Sequence, residues 1–125
     1  GDNDIKAGKS PSQVHADFDA LAAVIHRELP HTQIWCLGVK PSSSRWSLIE
    51  TQREANKLLR ARCEKDYSRM LFLDLEPITL GKDGSPDETL FAKDKLHLSP
   101  AGYAGWNKLI RDTLAQRNPL AAAAK

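Results

Sequence analysis

The chain has 125 residues, of which 41% are hydrophobic and 27% charged, a composition typical of one globular domain with a modest core. Its formal net charge is +2, and its lysines and arginines are scattered rather than clustered, which argues against nucleic acid as a partner. No apolar stretch approaches the length of a transmembrane helix, so no membrane span is expected.

The first predicted element is an amphipathic helix that begins after Ser10. Ser10 as N-cap, Pro11 in the first turn and Gln13 as capping-box partner are typical of a helix start. Apolar residues then recur at helical spacing, and these are Val14, Phe18, Leu21, Ile25 and Leu29. Pro30 ends this helix. The run from Ile34 to Leu37 is short, continuous and apolar, which predicts a buried strand.

A serine-rich loop over residues 40–46 separates this strand from a second helix. Ser47 and Glu50 predict a capping box for that helix, whose apolar positions continue to Cys63. The next apolar run, Met70 to Leu73, predicts a second buried strand. A polar, turn-rich loop over residues 81–87 follows.

The last predicted helix has Ser99 as N-cap and Pro100 in its first turn, and it ends at Asn118 and Pro119. Its inward face is expected to hold Tyr103, Trp106, Leu109, Ile110 and Leu114. We therefore expect one domain over residues 1–118 and an alanine-rich tail over residues 119–125. Helices that alternate with strands require parallel strands covered by helices, which predicts a three-layer α/β fold. Two strands make a very small sheet of this kind.

The cysteines and histidines form no metal-binding pattern. Cys36 lies in the first predicted strand and Cys63 near the end of the second helix, which favours two buried, reduced thiols, with a single disulfide as the alternative. The four histidines lack spacings such as H-E-x-x-H, and no Cys-x-x-Cys accompanies them. We expect no metal and no cofactor.

Asp94 and His97 stand three residues apart, immediately before the last helix. A histidine that removes a proton with one ring nitrogen needs an acceptor on the other nitrogen, which fixes the tautomer and supports the positive charge. Asp94 can supply that acceptor within one loop. The alternative interpretation is a polar histidine before a helix and a solvated turn acid.

Two blocks together resemble the SGNH, or GDSL, hydrolase superfamily. The opening Gly1-Asp2-Asn3-Asp4, a set of turn-forming residues, matches the family's G-x-N-D block, and Asp94-Lys95-Leu96-His97 matches its D-x-x-H block. The order of the elements between them, and the sequence from His97 to Tyr103, also resemble this family. The resemblance implies a flavodoxin-like α/β/α fold whose N-terminal strands are missing from this chain.

The same resemblance implies a serine esterase or acylhydrolase that cleaves a small ester through an acyl-enzyme. By matching position, His97 would be the general base, Asp94 its orienter, and Asn3 an oxyanion-hole donor through its side-chain amide. Gly1 would permit close backbone approach, and Asp4 would brace the loop by accepting backbone hydrogen bonds. Arg45 and Trp46 are candidates for the border of the substrate cleft, although Trp46 is more typical of packing.

The family's nucleophilic serine belongs to a G-D-S block that this chain does not contain. Asp83-Gly84-Ser85 has the same letters in another order and does not match, so no nucleophile is assigned. Cys36 is a poor substitute, because burial blunts the reactivity of a thiol. Where the missing strands should pair, an exposed sheet edge predicts self-association.

The sequence is also compatible with two other functional classes. Leu71 to Asp74, followed by Pro77 and Gly81, partly resembles the phospho-acceptor strand of receiver modules. The acidic pair and the lysine that such modules carry have no match here. A non-catalytic α/β binding module that kept the fold and lost the serine is the further alternative.

Overall fold

The computed structural model describes residues 1–117. Its elements are α1 (Asp2–Lys6), α2 (Pro11–Glu28), β1 (Ile34–Leu37), α3 (Ile49–Lys65), β2 (Met70–Leu73) and α4 (Pro100–Arg117), with short 3-10 helices over Ser43–Leu48 and Glu88–Leu90. The predicted stop at Asn118 and Pro119, and the tail over residues 119–125, lie outside the described residues.

Both predicted strands form at the predicted residues. They pair in parallel, from Ile34 opposite Met70 to Leu37 opposite Leu73, and helix α3 makes the crossover between them. The outer edge of β1 has no partner strand among residues 1–117, so self-association there stays a prediction. No helix within these residues is long and apolar enough to cross a bilayer.

The core lies where α2 and α3 pack against each other and against the sheet. Its buried residues are Ile5, Val14, Ala22, Cys36, Val39, Ala55, Leu59, Cys63, Met70 and Phe72. Both cysteines are free thiols, as the first interpretation of the sequence expected. The Cys63 thiol beside it and burial both raise the pKa of Cys36, so this thiol is a weak nucleophile.

Two helix starts differ from the sequence prediction. The opening residues form helix α1 rather than a turn, because the Gly1 carbonyl accepts from the Ile5 amide at 2.9 Å and Ile5 packs into the core. The predicted capping box of α3 is wrong. The 3-10 helix Ser43–Leu48 leads directly into α3, so Leu48 is the N-cap and makes no side-chain hydrogen bond.

On α2 and α4, several residues that were predicted to face the core are exposed in the structure. Leu21 on α2 and Leu29, its C-cap, are each 58% exposed, because this helix packs on α3 through Val14 and Ala22. Tyr103 and Leu114 on α4 are also exposed. Among the named elements, helix α4 contacts mainly the 3-10 helix Glu88–Leu90, and at its other end the Arg117 guanidinium donates to the Tyr67 carbonyl at 2.7 Å.

Gly102 permits this contact between α4 and the 3-10 helix. The Ser99 amide donates to the Leu90 carbonyl at 2.9 Å, and the Ser99 hydroxyl donates to the Thr89 carbonyl at the same distance. A Cβ at Gly102 would lie 2.3 Å from the Leu90 carbonyl oxygen. This glycine therefore keeps the segment before α4 in place, and that segment carries His97.

We expect Gly102→Ala to lower the free energy of unfolding by about 1–3 kcal/mol, because the two backbones must separate. Gly105→Ala is the matched control, since a Cβ at Gly105 meets nothing within 4 Å. Alanine at that position should stabilise the helix by up to about 1 kcal/mol. Urea unfolding measures both variants, and equal stability of the two would contradict the close approach at Gly102.

Candidate active site

Asp94 and His97 are in direct contact. The Nδ1 atom of His97 lies 2.5 Å from Oδ2 of Asp94. An ionised carboxylate only accepts hydrogen bonds, so Nδ1 carries the proton and Nε2 of the neutral ring is left as an acceptor. The imidazole is also 73% exposed. The arrangement therefore presents a basic nitrogen to whatever occupies the adjacent space.

The Asp94 carboxylate is held by its own loop. Its Oδ1 atom accepts from the backbone amides of Leu96 and His97, each at 3.0 Å. The His97 hydrogen bond, followed by these two amides, lowers the pKa of Asp94 to about 2. Asp94 is therefore an anion throughout the neutral pH range, which is the state that supports an imidazolium beside it.

A short hairpin carries this pair. Phe91 and Leu98 form an isolated antiparallel bridge, and the Ala92 amide donates to the His97 carbonyl at 2.7 Å. At the tip, Lys95 adopts a left-handed backbone conformation with φ of 55°, which a non-glycine residue adopts at some energetic cost. Its ammonium binds Glu88 at 2.8 Å, which helps to hold the tip.

Asn3 is held by an arginine from another part of the chain. The Arg45 Nη2 atom donates to Oδ1 of Asn3 at 2.8 Å. Nη1 of the same guanidinium lies 2.6 Å from Oδ2 of Asp2, and Oδ1 of Asp2 accepts from Gln52 Nε2 at 3.0 Å. This network fixes the start of α1 to the buried side of α3, because Gln52 is 1% exposed.

One loop, residues 40–45, contacts both blocks. Besides the contact of Arg45 with Asn3, the Ser44 amide donates to the Lys95 carbonyl at 3.2 Å. The Lys40 ammonium donates to the Leu96 carbonyl at 2.7 Å, and burial lowers the pKa of this lysine. The G-x-N-D and D-x-x-H blocks are thus attached to the same loop. Sequence reasoning missed Lys40, and no local pattern marks it.

Comparison with known families gives a match to the model of the GDSL-like lipase/acylhydrolase family over residues 1–104. That range includes both blocks and all elements between them. The chain belongs to the GDSL-like lipase/acylhydrolase family. The resemblance identified from the two blocks is thereby confirmed, and the match favours the esterase hypothesis over a receiver-like module.

Among solved structures, the chain is similar to one from Streptococcus pneumonia that is provisionally described as a platelet activating factor. The TM-score is 0.73 at 23% sequence identity, a similarity that shows the fold. The match covers 91% of this chain and 56% of that chain, so this chain spans little more than half of that length. The predicted α/β fold with its small parallel sheet is confirmed. No curated protein matches the chain.

The two supporting residues of the G-x-N-D block in this GDSL-like chain lie at the start of α1. A Cβ at Gly1 would lie 2.8 Å from a methyl carbon of Val39, so the Gly1 backbone lies close against the Val39 side chain. The Asp4 carboxylate binds the Lys9 ammonium at 3.0 Å and the Gly1 nitrogen at 3.3 Å. The Lys9 hydrogen bond is the largest contribution that lowers the pKa of Asp4.

An open cleft of about 520 Å³ lies beside the 3-10 helix Ser43–Leu48 of this GDSL-like chain, and neither Asn3 nor the pair of Asp94 and His97 lines it. Trp46 lines it on one side, and the loop that includes Asp83, Ser85 and Asp87 lines it on the other. Glu88, which binds Lys95 at the hairpin tip, also borders the cleft. Trp46 therefore lines a cleft, and its place at the border of the substrate cleft stays a prediction.

The other residues weighed as nucleophile or phospho-acceptor have different partners. The Ser85 hydroxyl donates to Oδ2 of Asp83 at 2.8 Å, within the loop. The Asp74 carboxylate forms a 2.6 Å ion pair with Arg60. Among residues 1–117, no group of three or more histidine, cysteine or acidic side chains is placed to hold a metal ion.

Proposed function

We propose that this chain is the C-terminal part of a serine esterase that cleaves carboxylic esters through an acyl-enzyme. The nucleophilic serine would lie in sequence that precedes Gly1. The observation that carries the proposal is the 2.5 Å contact of His97 Nδ1 with Asp94, which leaves Nε2 basic and exposed. Family membership and the 56% coverage of the similar structure support it.

In the first half of the proposed reaction, His97 Nε2 takes the hydroxyl proton of the serine as its oxygen attacks the ester carbonyl. The carbonyl oxygen becomes an oxyanion, to which the Asn3 amide donates. The tetrahedral intermediate then collapses. The C–O bond to the alcohol breaks, and the alcohol leaves with the proton from the His97 imidazolium.

In the second half, His97 takes a proton from water, which attacks the acyl-serine. A second oxyanion forms and collapses, which releases the carboxylic acid and returns the proton to the serine oxygen. Asp94 stays ionised in both halves because its pKa is about 2. It keeps Nδ1 protonated and stabilises each imidazolium.

The 125-residue chain alone is expected to show at most weak general-base hydrolysis, because it supplies the base and the amide donor without the serine. The full-length protein should hydrolyse p-nitrophenyl acetate and should be labelled by a fluorophosphonate probe at a serine upstream of Gly1. Steady-state kinetics and peptide mapping of the labelled protein measure both outcomes.

Rapid turnover by the 125-residue chain would show that the nucleophile lies within it and that the proposal misplaces it. Failure of the full-length protein to hydrolyse short acyl esters or to react with the probe would overturn the esterase proposal. The 125-residue His97→Ala chain is the matched control for background hydrolysis.

A further inference from the structure

We propose that Arg45 is a positioning residue for this reaction. By binding the side-chain oxygen of Asn3, it leaves the amide N–H groups of Asn3 free to donate to the oxyanion. This inference rests on the proposed function, in which Asn3 is an oxyanion donor. It adds a role for a residue outside both sequence blocks.

The chemistry of an asparagine amide makes its orientation decisive. One end of the amide donates hydrogen bonds, whereas the other end only accepts them. If Asn3 turned by 180°, it would present a carbonyl oxygen to a developing negative charge and raise the barrier. A guanidinium has donors and no acceptors, so its contact at 2.8 Å can only be to the oxygen of Asn3.

The charge of Arg45 adds to this effect. A hydrogen bond from a cation to a neutral carbonyl is stronger than one between neutral groups. It also polarises the amide, which strengthens the N–H donors at the other end.

Arg45 is itself held rigidly. Its side chain is 11% exposed, and the Asp2 carboxylate lies 2.6 Å from its Nη1. Gln52, buried on α3, donates to that same carboxylate at 3.0 Å. The orientation of Asn3, an exposed residue at the start of a short helix, is thus set through Arg45 and Asp2 by the core.

Arg45 contacts Asn3 through Nη2 and Asp2 through Nη1, so both contacts together need the two nitrogens of a guanidinium fork. A lysine at position 45 presents a single ammonium on a flexible stem, so it can pair with Asp2 but does not hold Asn3 in the same geometry. Arg45→Lys therefore keeps the charge next to Asp2 and tests the fork itself. Asp2→Asn, which loosens Arg45 without removing it, is the second variant.

The kinetic test is a double-mutant cycle in the full-length protein. We expect Arg45→Lys to lower kcat by about 10- to 100-fold, with the shape of the pH profile unchanged. In an Asn3→Ala background, Arg45→Lys and Asp2→Asn should have no further effect on kcat, because the group they position is absent. Arg53→Lys is the matched control, since Arg53 also bridges two carboxylates, those of Glu50 and Glu76.

A second measurement does not depend on activity. The side-chain amide of an exposed asparagine is normally mobile, whereas Arg45 should make that of Asn3 rigid. The heteronuclear NOE of the Asn3 side-chain ¹⁵N should be high in the unmodified protein and should fall in Arg45→Lys. Thermal unfolding of each variant accompanies this measurement.

Several results would overturn the inference. Equal losses from Arg45→Lys in the presence and absence of Asn3 would mean that Arg45 acts on stability alone. A mobile Asn3 side chain in the unmodified protein would also overturn the inference, because Arg45 would then not hold the amide. An unaffected kcat in Asn3→Ala, with turnover abolished in His97→Ala, would overturn this role and leave the esterase proposal standing. Unchanged turnover in His97→Ala would overturn the esterase proposal itself.

Discussion

Replacing His97 with alanine in the full-length protein is expected to lower kcat for ester hydrolysis by about 10⁴- to 10⁶-fold. Without the imidazole, neither the serine nor the deacylating water loses its proton to a positioned base. His97 is 73% exposed, so alanine leaves the core intact. Stopped-flow and steady-state kinetics with p-nitrophenyl acetate measure the loss, and thermal unfolding verifies the fold.

The chain offers a matched control for this substitution. His31 is exposed and lies between α2 and β1, away from the hairpin that carries His97. His31→Ala should therefore retain full kcat. If His97→Ala retained activity comparable to His31→Ala, the assignment of the general base would be wrong.

The second large effect is expected for Asp94→Asn, which should lower kcat by about 10⁴-fold at neutral pH. The oxygen of the new amide can still accept from the Leu96 and His97 backbone, so the hairpin persists. Its nitrogen, however, donates to Nδ1 of His97. That contact favours the tautomer with the proton on Nε2, which cannot act as a base.

The depressed pKa of Asp94 decides how this carboxylate enters the pH dependence of the unmodified protein. Because its folded pKa is about 2 against an ordinary value of 3.8, its pairing stabilises the fold above about pH 3.8 and is lost as the pH falls toward 2. The carboxylate is therefore ionised across the whole range of a kinetic assay. We therefore expect Asp94 to add no ionisation of its own to the pH profile of kcat of the unmodified protein between about pH 5 and 8, which the pH dependence of kcat measures.

Asp112→Asn is the control for Asp94→Asn, because Asp112 is a similarly exposed carboxylate on α4 that pairs with Lys108. Its kcat should match that of the unmodified protein. A loss of less than tenfold in Asp94→Asn would show that Asp94 does not orient the base.

Local patterns predicted the regular elements well. Both strands begin and end at the predicted residues, because each is a continuous apolar run bounded by Gly38 or Asp74. The capping box of Ser10 and Gln13 marks the start of α2 and is present in the structure. Helix α1 could not be predicted, since Gly1 to Asp4 are turn formers and the helix depends on Ile5 packing into the core.

In the candidate site, too, the contact within one loop was predictable and the contact between distant residues was not. The pairing of Asp94 with His97 was predictable because both atoms belong to one loop. The contact of Arg45 with Asn3 joins residues 42 positions apart, and it requires α1, α3 and the 40–45 loop to be folded first. Helical periodicity also could not show that Tyr103 and Leu114 on α4 stay exposed.

This difference in sequence separation bears on how the site assembles. Closing a loop of n residues costs chain entropy that grows as the logarithm of n, so the Arg45–Asn3 contact costs about 2 kcal/mol more to close than the Asp94–His97 contact. The hairpin can thus form its acid and imidazole contact early in folding. The Asn3 amide is oriented only when the tertiary structure is complete. The oxyanion donor therefore becomes competent in the same step in which the chain finishes folding.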